Sequence, residues 1–151
     1  MIIQELSKSQ CSQCLIKDFI KSYEYLLPDP FSLHVDLDEY AKKLNDLGVT
    51  YVLNQDNKIV GLVSGYINDF TTKEAYMQIL IVAKDAQGCG NGSKLIKAFV
   101  NHAKMKFATG KVFLTVDKEN VKAASVYLHL GFMKSDRVHA NCKKQILVYD
   151  F

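Results

Sequence analysis

A glycine-rich stretch follows the most apolar run of the chain, Tyr76 to Ala83. The stretch reads Gln87, Gly88, Cys89, Gly90, Asn91, Gly92, Ser93. Alternate glycines adopt backbone angles that other residues resist, and they leave no Cβ to block a ligand. Because N–H groups at a helix start bind phosphate oxygens, the stretch predicts a phosphate-binding loop. The alternative is a flexible turn before the helix.

Two common phosphate motifs do not fit this stretch. A Walker loop requires Gly directly before its Lys, whereas Lys94 stands between Ser93 and Leu95. A dinucleotide fingerprint that began at Gly88 would place Ser93 where a glycine-like residue is expected, and it belongs to the first strand of its fold. Lys94 and Lys97 would oppose the helix dipole, so an anion bound nearby explains them better.

A second pattern predicts a helix that carries a tyrosine. Asn120 is a favoured N-cap residue, and Gly131 is suited to end a helix. The apolar stripe between them predicts a helix over Val121 to Leu130. Tyr127 would then lie about two helical turns from the cap.

Periodicity and turn residues predict the elements that position these motifs. Strands are expected at Ile2 to Leu6, Val49 to Leu53, Ile59 to Ile67, Tyr76 to Ala83 and Lys111 to Val116, near Phe132, and at Ile146 to Tyr149. Further helices are expected from Ser7 or Ser9 along the stripe Cys11, Leu15, Phe19, Tyr23, Leu26, from Asp36 to Leu47, and from Gly92 to Phe107.

The order of these elements predicts a single α/β (α+β) domain over residues 1–151. Its mixed, twisted sheet of about six to seven strands would be antiparallel at the start, with about four helices on both faces. Gln78 is the only strongly polar residue of the most apolar strand. That strand is therefore expected to be central and covered on both faces.

The two motifs resemble those of the GNAT superfamily of N-acetyltransferases. Gln87, Gly90 and Gly92 match its Gln/Arg-x-x-Gly-x-Gly loop, which holds the pyrophosphate of acetyl-coenzyme A, and Leu80 and Val82 match the Leu-x-Val strand before it. The segment 120–132 matches the Asn-x-x-Ala-x-x-x-Tyr-x-x-x-Gly-Phe helix. The resemblance covers the order of elements in the whole chain, and the motifs span about residues 79 to 132.

The resemblance implies transfer of an acetyl group from acetyl-coenzyme A to a primary amine of a small molecule or peptide, directly in a ternary complex and without a metal. Tyr127 would protonate the departing thiolate, and a backbone N–H near Ile81 or Val82 would stabilise the oxyanion. The central strand would splay from its neighbour after Val82 to expose these groups. The expected cofactor-binding residues are Ile81, Val82, Gln87, Gly88, Cys89, Gly90, Asn91, Gly92, Ser93 and Asn120.

The sequence departs from the family pattern at Gln78, where related enzymes often carry an acid that deprotonates the amine. An amide is not a base at neutral pH. The alternatives are a water molecule positioned by Gln78, a carboxylate such as Asp69 or Glu74, or an amine that arrives deprotonated. Asn91 and Lys84 are milder departures, in place of an aliphatic residue and a proline. A non-catalytic acyl-coenzyme A-binding or sensor module on the same fold is the alternative function.

Charge suggests an acceptor class. The segment from Glu24 to Asp46 carries six acidic side chains against two lysines, and in the resembling family this region lines the acceptor side. The hypothesis is a cationic amine attracted by this segment, and the alternative is an ordinary solvated helix face.

Composition excludes several classes of protein. A net charge of +3 over 151 residues does not indicate nucleic-acid binding, and no apolar run reaches the ~18 residues of a membrane span. The beginning of the chain has no signal-peptide pattern, and four cysteines are too few for a disulfide scaffold, which predicts a cytoplasmic protein. The expected oligomeric state is a monomer or a homodimer. A purely structural protein would leave the glycine loop unexplained.

The cysteines suggest two further sites, both weaker. Cys11 and Cys14 with His139 and Cys142 have the residue types of a zinc site. Cys89 is near a helix N-terminus, which lowers the pKa of a thiol, so it is a conceivable nucleophile. The preferred interpretation is that the four cysteines bind no metal and that only the backbone of Cys89 matters.

Overall fold

The computed structural model describes every residue from Met1 to Phe151. The strands are β1 (Ile2–Glu5), β2 (Val49–Gln55), β3 (Lys58–Asp69), β4 (Glu74–Val82), β5 (Lys111–Asp117), β6 (Met133–Lys134) and β7 (Lys144–Asp150). The helices are α1 (Gln10–Tyr23), α2 (Leu37–Leu47), α3 (Asn91–Phe107) and α4 (Val121–His129). Short 3₁₀ turns occupy Glu24–Leu26, Phe31–Leu33 and Lys84–Ala86.

The strands form one sheet in the order β1-β2-β3-β4-β5-β7-β6. The β4–β5 pair is parallel, and every other neighbouring pair is antiparallel. The expected mixed sheet of six to seven strands with four helices is confirmed, as is the central place of β4.

Helix ends follow from local sequence. Asp36 caps α2 because its Oδ1 accepts hydrogen bonds from the N–H groups of Asp38 and Glu39, at 2.9 and 3.2 Å. Gly48 is the C-cap of that helix, which ends at Leu47 as predicted. Ser9 caps α1 through a 3.1 Å hydrogen bond from the N–H of Ser12.

The apolar stripe predicted for the first helix is confirmed except at Cys11, and the α-helix ends earlier than predicted. The helix stops at Tyr23 rather than Leu26. Phe19 is buried, and Leu15, Tyr23 and Leu26 pack against the same core, whereas Cys11 is exposed. Ser12, Ile16 and Ile20 are buried as well, so the buried face of α1 is wider than the predicted stripe and extends one position beyond it.

Two hydrophobic cores lie between the sheet and the helices, one on each face of the sheet. On one face of the sheet, Leu95, Ile96 and Phe99 of α3 pack against β2–β5, and α4 extends this layer. On the other face, α1 and α2 pack against β2–β4, with Ile16 and Leu44 fully buried. The helices on both faces hold the central strand in place.

A β-bulge lies in the middle of β4. Ser64 of β3 pairs with Ile79, but the next residue, Gly65, pairs with Met77, so Gln78 is the extra residue. A Cβ on Gly65 would lie 2.1 Å from the carbonyl oxygen of Tyr76, so glycine is required opposite the bulge. The bulge reverses the faces of the strand: Met77 contributes to the α3-side core, and Ile79 to the α1-side core.

The parallel pairing of β4 with β5 ends at the same place. Met77 with Leu114 is the last pair, and β5 then continues alongside β7 only. The predicted start of the splay, after Val82, was therefore wrong by five residues, since pairing ends at Met77. The bulge could not be predicted from the sequence of β4, because a bulged apolar strand has the same composition as a regular one.

Candidate active site

The separation of β4 from β5 leaves a cleft of about 200 Å³ in the sheet. Its walls come from both strands, from α4, and from the connection between α1 and α2. The lining residues are Leu27, Pro28, Asp29, Phe31, Met77, Gln78, Ile79, Leu80, Leu114, Thr115, Val116, Asp117, Asn120, Ala123, Tyr127 and Lys144. We call this cavity the reaction cleft.

A second cavity of about 490 Å³, the loop groove, runs along the glycine-rich loop. It contains six of the seven loop residues from Gln87 to Ser93, all but Cys89. The two cavities share the residues Leu27, Leu80, Asn120, Ala123 and Tyr127. A molecule bound along the loop groove can therefore extend into the reaction cleft beside Tyr127.

The loop backbone has the conformation that its glycines predict. Gly88 and Gly90 have φ values of +81° and +79°, which other L residues rarely adopt. The first hydrogen bond of α3 runs from the N–H of Lys94 to the carbonyl of Gly90, at 3.1 Å. The N–H groups of Asn91, Gly92 and Ser93 come before it, and so have no acceptor within the helix. These donors are suited to phosphate oxygens.

Three polar side chains of the loop make contacts within the loop itself. The Gln87 amide donates to the carbonyl of Val82 at 2.9 Å and so ties the loop to the end of β4. Buried Asn91 donates to the carbonyl of Ala86 at 2.8 Å, which fixes the first residue of α3. Cys89 is exposed, its thiol lies 3.8 Å from the carbonyl oxygen of Gln87, and the residue does not line the loop groove.

Beyond the last pair between β4 and β5, these two strands are separated by a gap, which the backbone groups of β4 face at alternate residues. The N–H of Ala83 donates to the carbonyl of Val60 in β3 at 2.8 Å, whereas the carbonyl of Val82 points away from β3 and accepts from Gln87. By strand alternation, Ile81 directs its N–H and C=O toward β3, and Leu80 directs them toward the gap. Of the two predicted oxyanion donors, Val82 therefore faces the gap and Ile81 does not.

Asn120 caps α4, as its sequence position predicts. Its Oδ1 accepts from the N–H of Ala123 at 3.2 Å. The Asn120 amide NH₂ donates to no protein group, and the residue lines both cavities. Those two donors are consequently available to a ligand.

Tyr127 lies where the two cavities meet. Its ring packs edge-on against Phe132, with centroids 5.7 Å apart, and its hydroxyl has no hydrogen-bond partner in the protein. Burial raises the pKa of the Tyr127 phenol to about 12. The phenol is therefore neutral at physiological pH and has a proton to donate.

The structure separates the groups considered as a general base. Gln78 is exposed in the reaction cleft. Asp69 and Glu74 lie toward the other end of the β3–β4 pair, outside the cleft. Hydrogen bonds from Thr72 lower the pKa of Asp69, and Arg137 beside Glu74 lowers the pKa of that carboxyl. Neither carboxylate is placed to deprotonate a group in the cleft.

Most of the acidic segment points away from the cleft or is already paired. Glu24 accepts from Ser32, Asp36 caps α2, Asp38 pairs with Lys17, and Asp46 pairs with Lys42. Only Asp29 of this set lines the reaction cleft. The charge that the segment brings to the site is therefore smaller than its composition indicates.

Asp29 connects the two sides of the cleft. Its Oδ1 lies 2.6 Å from His34 Nε2, and its Oδ2 accepts from Lys144 of β7 at 3.3 Å. The hydrogen bond with His34 and then that with Lys144 lower the pKa of Asp29, so the carboxylate is ionised at neutral pH. Asp117, at the end of β5, is the second carboxylate of the cleft.

Sequence reasoning missed Asp117 and Lys144 as site residues. They pair with each other in the register of β5 and β7, which brings Lys144 to the cleft across many intervening residues. The position of Asp117 between a strand and the Asn120 cap was a usable signal, whereas Lys144 had none.

The residues of the suggested zinc site do not come together. Cys11 and Cys14 lie on α1, and His139 and Cys142 lie between β6 and β7. No group of three or more His, Cys, Asp or Glu side chains is close enough to hold a metal ion. No helix has both the length and the apolar character that crossing a membrane requires.

Comparison with known proteins gives one family and several related folds. The sequence model of the Acetyltransferase (GNAT) family matches residues 13–132. Spermidine N(1)-acetyltransferase of Escherichia coli (strain K12) is 31% identical over 110 residues, which cover 72% of this chain and 59% of that protein. The chain thus spans less than two thirds of the length of this curated relative.

Two solved structures show the same fold at low sequence identity. Aminoglycoside 6'-acetyltransferase type Ii matches with a TM-score of 0.79 and 13% identity, over 99% of this chain and 97% of that one. The PaiA N-acetyltransferase from Thermoplasma acidophilum, solved in complex with coenzyme A, matches with a TM-score of 0.72 and 12% identity over 100% of both chains.

Proposed function

The chain belongs to the Acetyltransferase (GNAT) family, and from this premise we propose that it transfers an acetyl group from acetyl-coenzyme A to a primary amine in a ternary complex. The observation that carries the proposal is the meeting of the loop groove and the reaction cleft at Tyr127. One cavity suits a long phosphorylated donor, the other suits an acceptor, and a neutral phenol lies between them.

Acetyl-coenzyme A would bind mainly to backbone groups of the protein. The N–H groups of Asn91, Gly92 and Ser93, with the positive end of the α3 dipole, would hold its pyrophosphate. The N–H and C=O of Leu80 and the N–H of Val82, which face the gap, would pair with the pantetheine amides, since buried unpaired amides are costly. The amide NH₂ of Asn120 and the backbone of Gln87, Gly88, Cys89 and Gly90 complete the proposed set, while Ile81 lines the groove.

Chemistry would take place in the reaction cleft. A neutral amine attacks the thioester carbonyl carbon, and a gap-facing N–H of Leu80 or Val82 stabilises the oxyanion. As the carbon–sulfur bond breaks, the Tyr127 hydroxyl donates its proton to the sulfur. The attacking nitrogen, which carries a positive charge in the tetrahedral intermediate, would lose its proton to a water molecule oriented by the Gln78 amide, and solvent would return a proton to Tyr127.

The proposed acceptor class is an aliphatic polyamine. The support is twofold: a 31% identical relative named for spermidine acetylation, and the carboxylates of Asp29 and Asp117 in the cleft. Carboxylates attract an ammonium group and raise its local concentration.

The second candidate function is an acyl-coenzyme A sensor that transfers nothing, and Gln78 in place of an acid is the observation that favours it. The test incubates the protein with acetyl-coenzyme A and separate amines: spermidine, an aminoglycoside, a short peptide and butylamine. Free thiol is measured along with the product mass. Spermidine-dependent thiol release with acetylated spermidine supports the transferase. Coenzyme A binding without amine-dependent release would support the sensor.

A further inference from the structure

Arg137, in the connection between β6 and β7, reaches across the sheet to β4. Its guanidinium donates to both carboxylate oxygens of Glu74, at 2.5 and 3.2 Å, and to the hydroxyl of Tyr76 at 3.1 Å. The guanidinium carbon lies 4.0 Å from the centroid of the Phe113 ring. Phe113 stacks on Tyr76, with centroids 5.6 Å apart.

The groups around this guanidinium are those that bind organic cations. A carboxylate supplies charge and two acceptors, and an aromatic face attracts a cation through its quadrupole. The Tyr76 hydroxyl donates to Glu74 at 2.6 Å, which fixes the carboxylate in place. The Glu74 side chain is only 15% exposed, whereas that of Arg137 is 46% exposed. The anionic side of the contact is thus rigid, and the cation comes from a connecting segment.

The contact between Arg137 and Glu74 lies beside a cavity that adjoins the reaction cleft. A cavity of about 130 Å³ borders Tyr76, Phe113 and Arg137. It shares Met77, Gln78, Leu114 and Thr115 with the reaction cleft. Tyr76 and Gln78 are two positions apart in β4, at most about 7 Å along the strand, because the bulge at Gln78 shortens the rise. A short alkyl spacer between two amino groups covers that distance.

We propose that Glu74, Tyr76 and Phe113 form a subsite for a second cationic group of the acceptor, and that Arg137 occupies this subsite until the acceptor displaces it. The inference rests on the proposed function, because it names the acceptor class of that same cleft. The ligand is an aliphatic diamine or polyamine, whose far ammonium takes the place of the guanidinium. The Arg137 side chain is 46% exposed and the arriving ammonium keeps the Glu74 carboxylate paired, so Arg137 can move into water without leaving a buried charge alone.

The test compares 1,4-diaminobutane with butylamine, which lacks the second cation. In Arg137→Ala and in the longer Arg137→Gln, we expect the KM for diaminobutane to fall roughly two- to fivefold, because the competing cation is gone. In Glu74→Gln we expect that KM to rise by a similar factor. The KM for butylamine should not change in any variant. Asp46→Asn is the matched control, since it removes an exposed ion pair with Lys42 on α2, and neither residue lines the reaction cleft or the cavity beside Arg137.

Calorimetric titration of diaminobutane into the same proteins, without acetyl-coenzyme A, separates this inference from the proposed function. Tighter binding to both Arg137 variants supports the subsite even if no amine is acetylated. Equal or weaker binding to both variants overturns it, and then Arg137 only fastens its segment to the sheet, even if wild-type protein acetylates spermidine. Thermal unfolding of each variant confirms that it is folded during the titration.

Discussion

Met77 and Leu114 form the last residue pair between β4 and β5, and the sheet is open beyond them. Gln78, the next residue of β4, is the bulge on the opposite edge of the strand. Because both irregularities fall at one place, the opening lies in the centre of the sheet and not at its rim. Backbone groups that a regular sheet would pair are thereby left for a ligand.

Replacement of Tyr127 by Phe tests the general acid. The variant keeps the ring that packs on Phe132 but has no proton for the thiolate. We expect kcat to fall by about 10²-fold or more, and the affinity for coenzyme A to stay close to that of wild type. Thiol release and calorimetry measure the two quantities. The control is Tyr25→Phe, at a tyrosine that is 66% exposed, and an undiminished kcat in Tyr127→Phe would assign the proton to another donor.

The pH dependence follows from the raised pKa of Tyr127. Burial moves that pKa from 10.0 to about 12, so the acid keeps its proton where free tyrosine ionises. The stability tied to the neutral phenol is therefore fully present below pH 10.0 and is lost as the pH rises toward about 12. The amine, with an ordinary pKa of about 10.4, must lose its proton to react.

We therefore expect kcat/KM for the amine to rise by about tenfold per pH unit from about pH 7 to about pH 9. A pH–rate profile in buffers of constant ionic strength measures this. A decline that begins below about pH 9 would point to a different acid, of lower pKa.

Two glycine variants separate the effect of backbone strain in the loop from the effect of direct contact between the loop and coenzyme A. Gly90→Ala places a side chain at a φ of +79°, so we expect a loss of about 1–2 kcal/mol in the free energy of unfolding, with weaker coenzyme A binding. Gly92 has no positive φ, and a Cβ there would lie 3.9 Å from its nearest neighbour, Val82. Gly92→Ala should keep its stability in urea and lose coenzyme A affinity. Unchanged affinity in Gly92→Ala would mean that the donor does not approach this backbone.

Asp29→Asn tests the acceptor side. Loss of an ionised carboxylate should raise the KM for spermidine roughly two- to fivefold and leave the KM for acetyl-coenzyme A unchanged. The same variant should show less inhibition by salt. Asp46→Asn is the control, because Asp46 pairs with Lys42 on α2 outside the cleft. Equal effects of the two substitutions would remove Asp29 from the acceptor site.

The site residues that sequence could predict are those with a local backbone reason. Gly88 and Gly90 need left-handed angles, and Asn120 needs to cap a helix; both requirements are visible in a short window. The bulge at Gln78 is invisible there, because it depends on how Gly65 and its neighbours pair from another strand.

The other residues that sequence reasoning missed depend on contacts between distant segments. Lys144 reaches Asp29 across 115 positions, and Arg137 reaches Glu74 across 63. Only tertiary structure shows that five of the six carboxylates between Glu24 and Asp46 lie outside the reaction cleft. Composition therefore overestimated the negative charge at the site.

A crystal structure of the protein with coenzyme A would show, through the position of the sulfur atom, whether the cofactor enters the gap between β4 and β5 and reaches Tyr127. We expect the pyrophosphate on the N–H groups of Asn91, Gly92 and Ser93, the pantetheine between β4 and β5, and the sulfur within hydrogen-bonding distance of the Tyr127 hydroxyl. A sulfur atom outside the gap that begins at Met77 and Leu114 would mean that the cofactor does not use this gap. A Tyr127 hydroxyl turned away from the sulfur would mean that Tyr127 is not the general acid.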